Sequence, residues 1–209
     1  GFKAYFADGA QLVPPHAQEV VERYQKISIN ELLPLLTSSG EEPGWNILPI
    51  EDDLAYRAAL EDAVLDPEIL KENAPKLVFT PIHGTGAISA IPALWNHGVE
   101  VAAVDEKNQQ DPSFSTVKSP NPENPEALKK GISVAQKTKS NLVLGSDPDC
   151  DRIGVAVRGK GGKFQCLTGN QVATMLAEYR LLVAKRKKIL SEEGTNNVAI
   201  LKTFVTTPM

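Results

Sequence analysis

KLVFTPIHGTGAISAIPALWNHGVEVAAV, Lys76 to Val104, is the stretch whose reading decides the fold. Lys76–Thr80 is a short apolar run fenced by Pro75 and Pro81, the pattern of a buried strand. Ala87–His97 reads as a helix closed by Gly98, and Val99–Val104 as a second buried strand. Further along, Glu126–Lys139 supplies a second helix and Asn141–Gly145 a third strand. Strands alternating with helices in this way are βαβ units. The expected fold is therefore α/β, a mixed and mostly parallel sheet flanked by helices.

Toward the C-terminus, Ile153–Val157 and Lys163–Leu167 read as a hairpin across Gly159–Gly162. Asn170–Lys188 is a long helix with a basic last turn, and Val198–Thr203 a closing strand. That helix and strand have nothing after them to pack against and read as the start of another α/β domain cut short at Met209. Toward the N-terminus, Glu51–Val64 is an amphipathic helix with an acidic first turn. The stretch from Pro34 through Ser38, Ser39, Gly40, Pro43 and Gly44 reads as a linker. Pro14-Pro15 opens a helix ending near Lys26, and Gly1–Ala10 is a strand leaving a turn at Asp8-Gly9. Gly1-Phe2-Lys3, with no initiator Met, begins as an excised segment does.

The bulk composition excludes several classes. A net charge of −4 gives no global attraction to nucleic acid or an anionic membrane. No apolar stretch approaches the ~20 residues of a spanning helix, and no secretory signal is visible. Cys150 and Cys166 lack the CxxC spacing of a redox or zinc site, and free thiols in the cytoplasm are expected.

Asp147-Pro148-Asp149-Cys150-Asp151-Arg152 carries the chemistry. Three carboxylates at i, i+2 and i+4 follow the apolar strand Leu142-Val143-Leu144, and an extended chain puts all three on one side. Packed that closely they repel one another unless a cation neutralises them. All-carboxylate ligation selects a hard ion, Mg²⁺ or Ca²⁺, over zinc. An EF-hand needs Gly at the sixth position and Glu at the twelfth; these are Arg152 and Arg158, so a calcium sensor is not expected. Arg152 brings a planar donor set suited to a phosphate oxygen or to bracing the loop.

A second loop, Thr80-Pro81-Ile82-His83-Gly84-Thr85-Gly86, runs from strand into helix, where backbone N–H groups meet anions. With Asp105 ending the next strand, it also has part of the pattern of a dinucleotide site, although Ser89 holds the third glycine position. A nucleotide-dependent oxidoreductase and a non-catalytic metal-binding domain are the alternatives the residues leave open.

Together these segments resemble the α-D-phosphohexomutases, the phosphoglucomutase/phosphomannomutase family. Gly1-Phe2-Lys3 is similar to the segment just after that family's phosphoserine loop, and Thr80–Gly86 to a loop of its second domain. Ser119-Pro120-Asn121-Pro122-Glu123 resembles its PNPE segment, and Asp147–Arg152 its D-x-D-x-D-R metal loop. The resemblance implies a domain-1 tail over 1–28, a metal-binding domain 2 over 29–168, and the start of domain 3 over 169–209. It implies Mg²⁺ on Asp147, Asp149 and Asp151, with Lys3, His83 and Arg152 in catalytic or supporting roles. The implied substrates are hexose phosphate and hexose bisphosphate, with no nucleic acid or membrane partner. The phosphoserine and the sugar-binding loops would lie in the remaining domains of a parent chain, and the segment alone is expected to be inactive.

Overall fold

A computed structural model describes residues 4–37, 49–104, 110–190 and 199–202. Packing gathers the chain into two compact units, Gly1–Ile50 and Glu51–Met209. The first holds a tight turn followed by two helices. Tyr5 and Gln11 form a single antiparallel bridge, and Gly9 takes φ 83° at the tip. Among the described residues the opening strand is reduced to this one bridge, because Asp8 accepts from the Ala10 N–H (2.9 Å) and closes the turn at once, while Gly1–Lys3 lie outside the described residues. Helix α1, His16–Lys26, follows as the sequence indicates.

Part of the expected linker is instead helix α2, Ile29–Thr37, with Pro34 inside it. Glu31 accepts from the Ser28 N–H (2.9 Å), satisfying a donor at the helix start, and Ile29, Leu32 and Leu33 recur at helical spacing. That capping signal outweighs one proline. The remainder of the linker reading, 38–48, lies outside the described residues.

Helix α3, Ile50–Glu61, starts at the last residue of the first unit, and the short α4, Pro67–Asn73, lies in the second; the sequence reading overlooked α4 although Pro67 stands at its first turn. Next come β1 (Lys76–Thr80), α5 (Gly86–Asn96), β2 (Glu100–Ala103), α6 (Pro125–Thr138) and β3 (Leu142–Ser146). The antiparallel strands β4 (Ile153–Arg158) and β5 (Phe164–Leu167) and helix α7 (Gly169–Arg186) complete it. Helix α6 starts on Asn124, whose side chain accepts from the Glu126 N–H, with Pro125 at the first position. Helix α7 starts on a reciprocal Thr168–Gln171 capping box. Ala199–Lys202 form no strand. Leu201 is 95% exposed. Val198 and Thr203, the ends of that expected strand, lie outside the described residues.

The sheet order is β2-β1-β3-β4-β5. Strands β2, β1 and β3 are parallel, whereas β3–β4 and β4–β5 pair antiparallel, so the sheet is mixed. Alternation along the strands sends side chains to two faces. Val78, Val143 and Ala156 pack with Leu128 and Ala135 of α6. Leu77 and Phe79 pack with Ile91 of α5 and Val99 on the other face. Strand β1 therefore lies between its two crossover partners, with α5 and α6 on opposite sides. In such sheets the crevice forms at the carboxyl ends of the strands where the chain reverses direction across the sheet, here between β1 and β3. Arg158 ties the layers together by donating through Nη2 to the Ala135 and Ser140 carbonyls. On α7 only Val183 is buried, while Met175, Leu176, Tyr179 and Leu182 are exposed.

The two packing classes predict opposite mutational outcomes. Leu128→Ala, at a side chain 1% exposed, lowers unfolding stability by about 2–4 kcal/mol. Leu176→Ala, on the open face of α7, changes it by less than about 0.5 kcal/mol. Urea denaturation of both variants checks the contrast, and equal losses would contradict this assignment of the core.

Candidate metal centre

Asp147 follows directly on β3 and is fully buried. Its carboxylate is met by one residue from three directions. Oδ1 accepts from the Arg152 backbone N–H (2.8 Å) and Oδ2 from Arg152 Nε (2.9 Å), while Arg152 Nη2 stands 2.8 Å from Oδ2 as an ion pair. The Asp147 hydrogen bond, followed by its charge, raises the Arg152 pKa and keeps the guanidinium ionised. Arg152 Nε also lies 3.5 Å from Asp151 Oδ1.

Between these anchors the loop is bent, in contrast to the extended chain the i, i+2, i+4 spacing suggested. Cys150 N–H donates to the Asp147 carbonyl (3.0 Å), making a four-residue turn, and Cys150 takes φ 60°. The turn still gathers the acids. One carboxylate oxygen each from Asp147, Asp149 and Asp151 lie within 4.8 Å of one another, the first buried and the other two exposed. Both cysteines are free thiols.

The donor set fits a divalent cation. Three carboxylates against one Arg152 guanidinium leave a formal charge of −2, and hard oxygen ligands suit Mg²⁺ or Ca²⁺. Coulomb repulsion among acids this close is relieved by such an ion.

The β1–α5 loop is clasped to this one. Thr85 donates to the Pro148 carbonyl through its N–H (3.0 Å) and its hydroxyl (3.2 Å). Gly84 permits the approach: a Cβ there would stand 2.3 Å from Pro148 Cα. Just before it, Ile82 and His83 adopt φ 47° and 63°, a left-handed conformation strained for a branched side chain. His83 is buried, and its Nε2 lies 2.7 Å from Thr116 Oγ1.

Within the 119–123 segment, Pro122 packs against β4. A Cβ on Gly154 would meet the Pro122 carbonyl oxygen at 2.1 Å, so only glycine lets this segment run along the strand. Pro122 itself is buried.

Of the expected site residues, Asp147, Asp149, Asp151 and Arg152 meet in one loop, and His83 lies on the adjoining one. Lys3 and Asp105 lie outside the described residues. Thr116 and Asp111 escaped the sequence reading. Asp111 accepts from the Ser115 hydroxyl (2.6 Å), the Ser115 N–H (2.8 Å) and the Ser113 N–H (2.9 Å). The signal was local, since Asp followed by Ser two and four residues on is a side-chain-capped turn pattern.

This site lies within residues 55–161, which match the family model described as phosphoglucomutase/phosphomannomutase, alpha/beta/alpha domain II. The chain belongs to the phosphoglucomutase/phosphomannomutase family. It is 31% identical over 206 residues to the phosphoribomutase of Saccharomyces cerevisiae, covering 86% of this chain and 31% of that protein. It is 29% identical over 212 residues to a Staphylococcus aureus phosphoglucomutase, covering 95% of this chain and 37% of the relative. A solved Thermus thermophilus structure assigned as a phosphomannomutase superposes with TM-score 0.54 at 26% identity, over 74% of this chain and 35% of that one. The chain thus spans about a third of the length of these relatives. No helix among the described residues is long and apolar enough to cross a membrane.

The Asp111 cap has a titration signature. Hydrogen bonds from the Ser115 hydroxyl, then the Ser115 and Ser113 N–H groups, lower its pKa from 3.8 to about 2, with a smaller contribution from nearby His83. A folded pKa below the unfolded one stabilises the loop above pH 3.8, and that stabilisation is lost as pH falls through about 2. Carbon-detected NMR should find the Asp111 carboxyl titrating near 2, and a midpoint near 4 would show the cap is not formed.

Proposed function

We propose that this chain carries the cation-binding domain of a cytoplasmic phosphohexomutase, which interconverts hexose 1-phosphate and hexose 6-phosphate through a phosphoserine and a sugar bisphosphate. The observation that carries the reading is the convergence of three carboxylates within 4.8 Å at the carboxyl edge of β3, beside the β1 loop. Family membership supports it, because two relatives over most of this chain are a phosphoribomutase and a phosphoglucomutase. In this reading residues 1–28 end domain 1, 29–168 form domain 2 and 169–209 begin domain 3. The phosphoserine and the sugar-binding loops belong to the remaining domains of the parent chain.

Asp147, Asp149 and Asp151 would hold Mg²⁺, which when bound offsets negative charge on a transferring phosphoryl group. The chain's own residues prepare that position. Arg152 fixes the Asp147 carboxylate through a fork of N–H donors, so one ligand is set before any ion arrives. Asp149 and Asp151 remain exposed at the loop surface, where an ion and a phosphate oxygen have access. Lys3 is assigned to the reacting hydroxyls, where a positive charge or a proton donor helps. His83 lines the same edge in a supporting role.

The dinucleotide alternative is less favoured by the β1–α5 loop. Thr85 N–H, at the N-terminus of α5, is already committed to Pro148, and the Pro148 backbone fills the space that Gly84 leaves open. Both groups are therefore taken by the acidic loop.

Calorimetry tests the ligand assignment. Mg²⁺ should bind this chain weakly, with the phosphoserine oxygen contributed from elsewhere, and Asp149→Asn should lower the affinity by about tenfold, or about 1.4 kcal/mol. Unchanged affinity in the variant would remove Asp149 from the site.

A further inference from the structure

We propose that Thr116 is a positioning residue for His83, and that Asp111 acts one step further back by holding the loop that presents Thr116. The inference deepens the phosphotransferase reading and rests on it for its catalytic consequence, but its geometric part stands on the two loops alone.

The chain of contacts starts at Asp111. Its carboxylate accepts three hydrogen bonds from Ser113 and Ser115, and its carbonyl accepts the Phe114 N–H (3.0 Å). Phe114 is thereby held at φ 49°, and its own carbonyl accepts the Val117 N–H (3.0 Å). A phenylalanine in the left-handed region persists only where its surroundings hold it there. These bonds fix both sides of Thr116, whose hydroxyl reaches His83 Nε2 at 2.7 Å.

The partner loop is strained in the same sense. Ile82 and His83 are consecutive left-handed residues, and His83 is 5% exposed. The residue after them, Gly84, lies against Pro148 of the acidic loop. Two strained loops from different parts of the sequence are thus joined by one side-chain bond, and the second of them touches the cation loop. A hydroxyl both donates and accepts, so Thr116 follows either imidazole tautomer, and what it fixes is the orientation of the ring. A misplaced group of this kind costs turnover while substrate binding remains, because the loss falls on the transition state.

The first readout is the His83 ring itself, observed by long-range ¹⁵N–¹H NMR in the 209-residue chain. Thr116→Val should shift the His83 Nε2 resonance, Thr116→Ser should restore it, and Asp111→Asn should shift it in the same direction by less. In the full-length enzyme Thr116→Val should lower kcat by roughly 10–100-fold with KM within about twofold, and Thr116→Ser should recover most of it. Ring signals identical in the parent and Thr116→Val would overturn the inference, as would a shifted ring with unchanged kcat. Should Thr116→Val not fold, Asp111→Asn carries the test, and unmoved His83 signals in it would overturn the proposal equally. Absence of mutase turnover in the unmodified full-length protein would sink the proposed function instead, leaving the ring measurement to judge the positioning claim.

Discussion

The Asp147 carboxylate has no solvent exposure, and the shape of the site follows from how that charge is accommodated. A buried carboxylate is tolerated only when paired and hydrogen-bonded, and Arg152 supplies its backbone N–H, Nε and Nη2 together. Closing residues 147 to 152 on one carboxylate leaves the intervening backbone little choice but the turn at Cys150. That turn returns Asp149 and Asp151 to the neighbourhood of Asp147. Removing Arg152 would therefore do more than delete a cation. It would strand a charge in the core and release the loop that groups the other two acids.

The sheet determines where this loop can act. Strands β1 and β3 are hydrogen-bonded neighbours although β2 intervenes in sequence, because α5 and α6 cross on opposite faces. The loops leaving β1 and β3 must then emerge side by side. Gly84 and Thr85 turn that proximity into contact with Pro148, and the antiparallel β4 leads the chain away from the edge. Parallel strands collect the loops and the antiparallel pair extends the sheet, which is why the mixed topology suits this site.

What was readable beforehand divides along physical lines. Lys76–Thr80 and the hairpin at Gly159–Gly162 were readable because burial and turn chemistry are local. The Thr168–Gln171 capping box is just as local, within four residues, but only the helix it starts was read. Helix α2 was missed because Pro34 and the Ser/Gly run after it outweighed the Ser28–Glu31 cap. The expected strand at 198–203 was read from apolar residues alone, yet a strand exists only within a ladder, and Ala199–Lys202 form no strand. The acidic cluster was legible from composition, but its geometry comes from a turn that alternation did not predict. The His83–Thr116 contact joins residues 33 apart in sequence, and no local pattern announces such a pairing.

Asp147, Asp149 and Asp151 are proposed to form one divalent-cation site at the β1–β3 edge. Mn²⁺ is a hard divalent ion with an anomalous X-ray signal, so it reports the location of such a site directly. A crystal of this chain soaked in Mn²⁺ should show a single strong anomalous peak about 2.1–2.3 Å from one carboxylate oxygen of each of the three aspartates, with Arg152 still on Asp147. A peak elsewhere, or none at this loop at saturating Mn²⁺, would contradict it.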